Sequence, residues 1–248
     1  VADGGVLNGA SFAKSQAVTP GALISIFGSN LATTSATADS IPLSTSLANV
    51  SVTINGTPAP LVGVFHSDAN GDQINAQLPW EVSTQSGTAQ VVVTRNGVSS
   101  PAAAVPVAQF GPGIFSVQFG IGQAIAINSD GSLGAPTGSI PGLATRPAKI
   151  GDPQGLILLA TGLGAVTPTV ASGHNTLDAL RTAVTTPAVL VGNTPATVTF
   201  AGLSPQFVGV NQINLQLPAG TPTGDRIPIQ IQVGGVTTTD QVTVAVSN

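Results

Sequence analysis

Apolar and polar positions alternate along much of the chain, most plainly in QINAQLP at 73–79. Ile74, Ala76 and Leu78 fall on one face of an extended segment, Asn75 and Gln77 on the other. The pattern returns as QINLQLP at 212–218, with six of seven positions identical. Pro79 and Pro218 cannot donate to a strand ladder, so each strand should stop there. Similar period-two or continuous apolar runs, bounded by Gly, Pro, Asn and Asp, predict strands at about 22–27, 50–54, 60–65, 73–78, 88–95 and 98–107. A second series is predicted at about 123–127, 156–160, 188–191, 196–200, 207–217, 227–233 and 236–246. One stretch, NTLDALRTAV at 175–184, places Leu177, Leu180 and Val184 on one helical face with Asn175 or Thr176 as cap, and predicts a short connecting helix.

The two series resemble each other beyond the heptapeptide. NGTPAP (55–60) has a counterpart in GNTPAT (192–197), and LVGV (61–64) in FVGV (207–210). Upstream, TPGALISIFGSNL (19–31) aligns with DPQGLILLATGLG (152–164). Downstream, GTAQVVVTRNGVSS (87–100) and GDRIPIQIQVGGVTT (224–238) each read as strand, two-residue turn, strand. Asn-Gly and Gly-Gly supply the positive φ that tight hairpins need. The expected architecture is all-β: two tandem immunoglobulin-like β-sandwich domains from an internal repeat, residues 1–110 and 111–248, with at most one short helix. AQFGPGIFSV (108–117) is the expected hinge between them. The amide faces of the heptapeptides are read first as fold-specifying and second as a surface for sugar hydroxyls.

PGALISIFGSNL resembles the opening of IPT/TIG immunoglobulin-like domains. The series LNGASF, SIFGSNLA, VTINGTPAP, QINAQLPWEV, GPGIF, LLATGLGAVTP and FAGLSPQFVGVNQINLQLP is similar to a two-lobed β-sandwich module of large secreted proteins of acidobacterial type. That resemblance covers nearly the whole chain and implies the fold and export. The module has no established activity, so the resemblance implies no reaction.

Charged residues are only 6% of the chain, against about 25% in ordinary soluble domains. Disorder is excluded by high apolar content with a net charge of only −4. The best candidate membrane span, GLILLATGLGAV (155–166), is short and broken by Thr and Gly, so no membrane span is expected. Six scattered Lys and Arg form no basic patch, and no nucleic-acid partner is expected. No Met is present, so Val1 is expected to be a processed or trimmed N-terminus. A removed signal peptide accounts for this and leads to an expected secreted or cell-surface location.

Chemistry is sparse: two His, Glu81 and nine Asp, with no nucleophile elbow, zinc helix or phosphate loop. No catalytic residue and no cofactor is assigned, and Glu81 reads as a solvated loop charge. His174 and Asp178, spaced i,i+4 on the expected helix, read as a surface pair. The nearest approach to a metal site is HSDANGDQ (66–73), where Asp68, Asn70 and Asp72 alternate as in calcium loops. Its Gly falls at the fourth place and no distal Glu follows; the competing reading is a polar hairpin tip. The loop is read as an insertion of about seven residues relative to the second copy. Trp80 is a candidate glycan-stacking platform, set against a buried anchor between domains. NVS (49–51) and NGT (55–57) match the N-glycosylation sequon.

So few charges leave sheet edges undefended, and unblunted edges associate. GGVLNGASFA (4–13), with no evident partner in the second copy, offers Val6, Leu7, Ala10 and Phe12 as a strand to add to a neighbouring sheet. The alternative is that residues 1–15 form the first strand of their own domain. The expected function is a non-enzymatic, exported structural protein, a self-assembling subunit of an extracellular filament or surface layer with itself as partner. A cell-surface adhesin or carbohydrate-binding module with a glycan partner is the second reading.

Overall fold

The computed structural model describes all 248 residues, and every regular element in it is a strand. In the first half these are β1 (Val6–Asn8), β2 (Leu23–Gly28), β3 (Val50–Ile54), β4 (Leu61–Phe65), β5 (Asp72–Gln77), β6 (Thr88–Arg95), β7 (Val98–Ser99) and β8 (Ala103–Pro106). One sheet runs β1–β2–β5–β4, with Ala36–Thr37 at its edge. The other runs β7–β6–β3, with β8 also on β6 and two-residue pieces, Ser46–Leu47 and Thr57–Pro58, on β3. Period two does the work: Ile24, Ile26, Ile74 and Ala76 from the first sheet meet Val50, Val52, Ile54, Val91 and Val93 from the second in one core. Alternate side chains of these strands remain outside it, as the pleat requires.

The second half contains β9 (Ile121–Gln123), β10 (Ala126–Asn128), β11 (Leu156–Thr161), β12 (Ala188–Val191), β13 (Thr194–Leu203), β14 (Asn211–Gln216), β15 (Gly224–Val233), β16 (Val236–Thr237) and β17 (Gln241–Ser247). They build a second core from Leu156, Leu158, Ile213, Leu215, Ile229, Ile231, Val242 and Val244, among others. Strand pairing passes from the first set to the second between Pro106 and Gly113.

The registers show the duplication in backbone terms. β1 pairs β2 through Val6↔Ile26, Leu7↔Ser25 and Asn8↔Ile24. β10 pairs β11 through Ala126↔Leu158, Ile127↔Ile157 and Asn128↔Leu156. A bulge interrupts β4 against β5 between Leu61 and Gly63, and β13 against β14 between Val198 and Phe200. The parallel bridge Val18↔Val107 returns as Ala148↔Val246. One difference changes the topology. β13 is continuous and pairs both β12 and β14, so it joins the second unit's sheets. In the first unit the same path breaks at Ala59–Pro60 between Thr57–Pro58 and β4.

These registers correct several string-based expectations. Ile24 corresponds to Leu156, one residue away from the alignment of 19–31 with 152–164; a one-residue slip would turn every core side chain outward. LVGV matches the strand segment around Val198–Gly202, while FVGV at 207–210 lies in a loop. The 66–71 connection is therefore no insertion, because residues 204–210 fill the same place. The expected strands 98–107 and 236–246 are each broken, at Ser100 and Thr238. There a hydroxyl accepts the N–H of Val93 or Ile231, 3.1 Å in both. The expected strand 123–127 divides into β9 and β10, which pair with different partners.

The expected helix at 175–184 is absent. Leu177, Leu180 and Val184 are exposed, at 68%, 64% and 62%. The buried residues are Thr176, Ala183 and Arg181, whose guanidinium reaches the carbonyls of Thr169 and Ala179 and the Asp178 carboxylate. The segment wraps this cation as a loop. His174 and Asp178 form no pair, and Asp178 is held below the ordinary aspartate range by its hydrogen bond with Arg181.

Candidate functional site

The calcium-like residues part company. Asp72 opens β5 and is buried. Its Oδ2 accepts the N–H groups of Leu31 (2.6 Å) and Ala32 (3.0 Å), and its Oδ1 lies 2.7 Å from His66 Nδ1. Burial pushes this carboxyl up. Hydrogen bonds from Ala32, His66, Leu31 and Ser67 more than offset it and leave Asp72 below the ordinary aspartate range. The Asp68 side chain is 98% exposed, 3.3 Å from His66 Nε2, while the Asn70 N–H donates to Ser67 Oγ. The three candidates are thus spread along a tied turn, without a shared focus.

In the second unit Asn211 stands where Asp72 does, and its Oδ1 accepts the N–H of Leu163 at 3.2 Å. The heptapeptide amides show the same parallel. Gln73 Nε2 donates to Asn75 Oδ1 at 2.7 Å, and Gln212 Nε2 to Asn214 Oδ1 at 2.8 Å. Gln77 Nε2 donates to the Gly21 carbonyl and Gln216 Nε2 to that of Pro153, at 3.1 and 2.7 Å. The repeated amides satisfy one another and the turn before the neighbouring strand, and this is the fold-specifying role.

The N-terminal candidates sit in their own unit. Val6 and Leu7 belong to β1 and are buried, as is Ala10. Asn8, fully buried, accepts from the N–H groups of Ala10 and Ser11. Phe12, at φ 53°, packs against Phe27 and edge-on to Phe119 at 5.3 Å. β1 has β10 as its counterpart, so the stretch is an integral first strand; donating it to a neighbour would require exchange.

Trp80 lies at the junction of the two units. Its ring covers Gly21, where a Cβ would come within 2.1 Å of the indole. Its backbone N–H donates to Ser172 Oγ at 2.9 Å, while its buried indole N–H has no partner in the chain, and Ser172 Oγ donates to Glu81 Oε2 at 2.8 Å. Around this point the seam is continuous. Gln77 Oε1 accepts the Gly173 N–H (2.6 Å), and the Gly173 carbonyl accepts the Leu43 N–H (2.8 Å). Fully buried Thr161 accepts from Leu23 N–H (2.9 Å) and donates to the Gly209 carbonyl (2.7 Å). Asn8 and Gln16 donate to the carbonyls of Gly111 and Pro112 at 2.9 and 2.8 Å. The Gly-Pro-Gly stretch is clamped at both ends of this network rather than free to hinge.

Beside the seam lies an apolar groove of about 530 Å³, with Leu23, Ile41 and Leu43 on one wall and Phe207 and Val210 on the other. Ile41 and Phe207 are 44% and 55% exposed. Neither this groove nor the seam residues Thr161 and Ser172 carried a signal in the sequence, because a hydroxyl at the end of a strand looks the same in any role. Asp240 was equally silent. It is buried, gives one oxygen to the Ile114 N–H at 2.6 Å, leaves the other unpartnered, and is pushed above the ordinary aspartate range by burial.

The sheet edges that the scarcity of charge left in question are occupied from within. β17 is flanked by β9 and by Ala148–Lys149, both parallel to it. Thr57–Pro58 and the four-residue β8 lie along β3 and β6, with Pro58 and Pro106 among their residues. No helix is long and apolar enough to cross a membrane. No protein-family model matches the sequence, and no curated protein compared with it does.

Proposed function

We propose that the chain is an exported, non-enzymatic structural building block: two immunoglobulin-like sandwiches of the IPT/TIG kind, fused into one stiff body that associates with copies of itself in an extracellular filament or surface layer. The observation that carries this reading is the hydrogen-bonded seam from Asn8–Gly111 through Thr161 to Trp80–Ser172–Glu81. A hinge would let a subunit bend under load, whereas bonds at several separated points transmit force between the units. The acidic groups support the same reading: Glu81, Asp72, Asp130 and Asp178 are each engaged in holding neighbouring segments.

Strand exchange at β1 is the less favoured route of association, since its side chains are already buried. The exposed apolar rim of Ile41 and Phe207 is the favoured one, side chain against side chain. Negative-stain microscopy with light scattering over a concentration series tests this. Regular oligomers or filaments that Ile41→Asp with Phe207→Asp disperses, with the far-ultraviolet spectrum unchanged, are expected. Monomers at every concentration would overturn the self-association reading.

A further inference from the structure

The outer face of the second unit carries a separate groove of about 540 Å³, between β9, β17 and the loop 136–140. Its floor follows from strand register. β9 runs parallel to β17 with Ile121 beside Gln241 and Gln123 beside Thr243, so these four share one face. Val242, between Gln241 and Thr243, and Val244, after Thr243, point into the core. Arg226 borders the groove from the part of β15 where its register against β17 shifts, between Gly224 and Ile227. Its guanidinium is in none of the chain's ion pairs.

The polar lining is dominated by amides. Gln118 lies over Gly122, whose φ is 74°; a Cβ at that position would meet Gln118 Oε1 at 2.7 Å. Gln123 donates its Nε2 to the Asp225 carbonyl at 2.8 Å and leaves its buried Oε1 without a partner in the chain. Gln241 is exposed on the floor. Next to Gln118, Phe119 turns away from the lining and packs edge-on against Phe12. Ile121, 53% exposed, is two residues on.

Each element of this set has one kind of complement. A glutamine amide both donates and accepts, which matches hydroxyl groups that do the same. An unpaired guanidinium matches a planar carboxylate through two parallel hydrogen bonds. Ile121 and Ile140 in the lining match the C–H face of a pyranose ring. The volume lies in the range of about 300–1,000 Å³ usual for ligand sites. We propose that this groove binds a segment of uronate-bearing polysaccharide, with the carboxylate on Arg226, ring hydroxyls on Gln118, Gln123 and Gln241, and a sugar face against Ile121 and Ile140. This site lies away from Trp80 and from the Ile41–Phe207 rim, and it does not depend on self-association.

Isothermal titration of the full chain with a galacturonic acid tetramer tests the assignment, with a neutral glucose tetramer and tetraglutamate as controls. The uronate tetramer is expected to bind, to bind better than either control, and to weaken about tenfold or more in Arg226→Gln, a partner-truncation effect at a charge pair. Arg226 is exposed and unpaired, so this variant keeps the fold. Three results would each overturn the proposal: no heat with the uronate tetramer at millimolar concentration, equal binding of tetraglutamate, or binding unchanged in Arg226→Gln.

Discussion

Asp72 and Asn211 occupy one structural position in two chemical forms, which makes the role of a buried carboxylate measurable. Both present an oxygen to a leucine N–H at the end of the neighbouring strand, Leu31 or Leu163. Asp72→Asn should therefore cost only about 1 kcal/mol, while Asp72→Ala, which strands two buried N–H groups, should cost about 3 kcal/mol in urea unfolding. The pH dependence has a definite sign. Because its folded pKa is lowered, Asp72 stabilises the fold above the unfolded aspartate value of 3.8, and that contribution is lost as pH falls through the lower folded value. Asp240 behaves oppositely. Its pKa is raised by burial, so its contribution is full below 3.8 and is lost as pH rises through the folded value. Asp240→Asn keeps an acceptor for Ile114 and removes the charge, and should raise stability at pH 7 by about 1 kcal/mol. The gain over the parent should vanish near pH 3. An equal gain at both pH values would exclude the burial explanation.

At the scale of elements, the repeat supplies its own control. Gln77 and Gln216 end matching strands and bond matching turn carbonyls, but only Gln77 also accepts from the opposite unit, at Gly173. Gln77→Ala should cost about 2 kcal/mol and Gln216→Ala about 1; equal costs would deny Gln77 its second role. Strands were legible in the sequence wherever apolar residues alternate: 50–54, 88–95 and 188–191 stand where the pattern puts them. The 175–184 segment was misleading because Leu177, Leu180 and Val184 fit a helical stripe, yet the loop buries Arg181 and leaves the leucines in water. String similarity also misplaced FVGV and shifted the alignment at Ile24. Both strings were matched on residue type alone, and only the register, uninterrupted from β2 to β5 and from β11 to β14, fixes which residues correspond. The spacing of Asp68, Asn70 and Asp72 is silent on geometry for a related reason, since a residue that opens a strand, as Asp72 does, has its direction fixed by the sheet.

The whole molecule is held by hydrogen bonds from uncharged side chains where a more charged protein would use ion pairs. Each unit has a complete core, so each has what it needs to unfold on its own. What couples them is the seam, and its strongest single point is Thr161, fully buried, whose hydroxyl joins Leu23 of one unit to Gly209 of the other. Thr161→Val preserves the shape, removes both bonds and leaves a buried N–H and a buried carbonyl unpaired, at about 1–3 kcal/mol each. Ser172→Ala adds the loss of the Trp80–Glu81 link. The parent protein should melt in one calorimetric transition, with the van't Hoff and calorimetric enthalpies in agreement. With Gln77→Ala added to these two, the same scan should resolve two transitions, because the cores remain intact while the coupling between them falls below the stability of either unit. A single transition in the triple variant would mean that the units are joined by packing at Trp80 and Gly21 rather than by the hydrogen-bonded seam. Gly21→Ala, which drives a methyl into the indole, would then be the change that separates them.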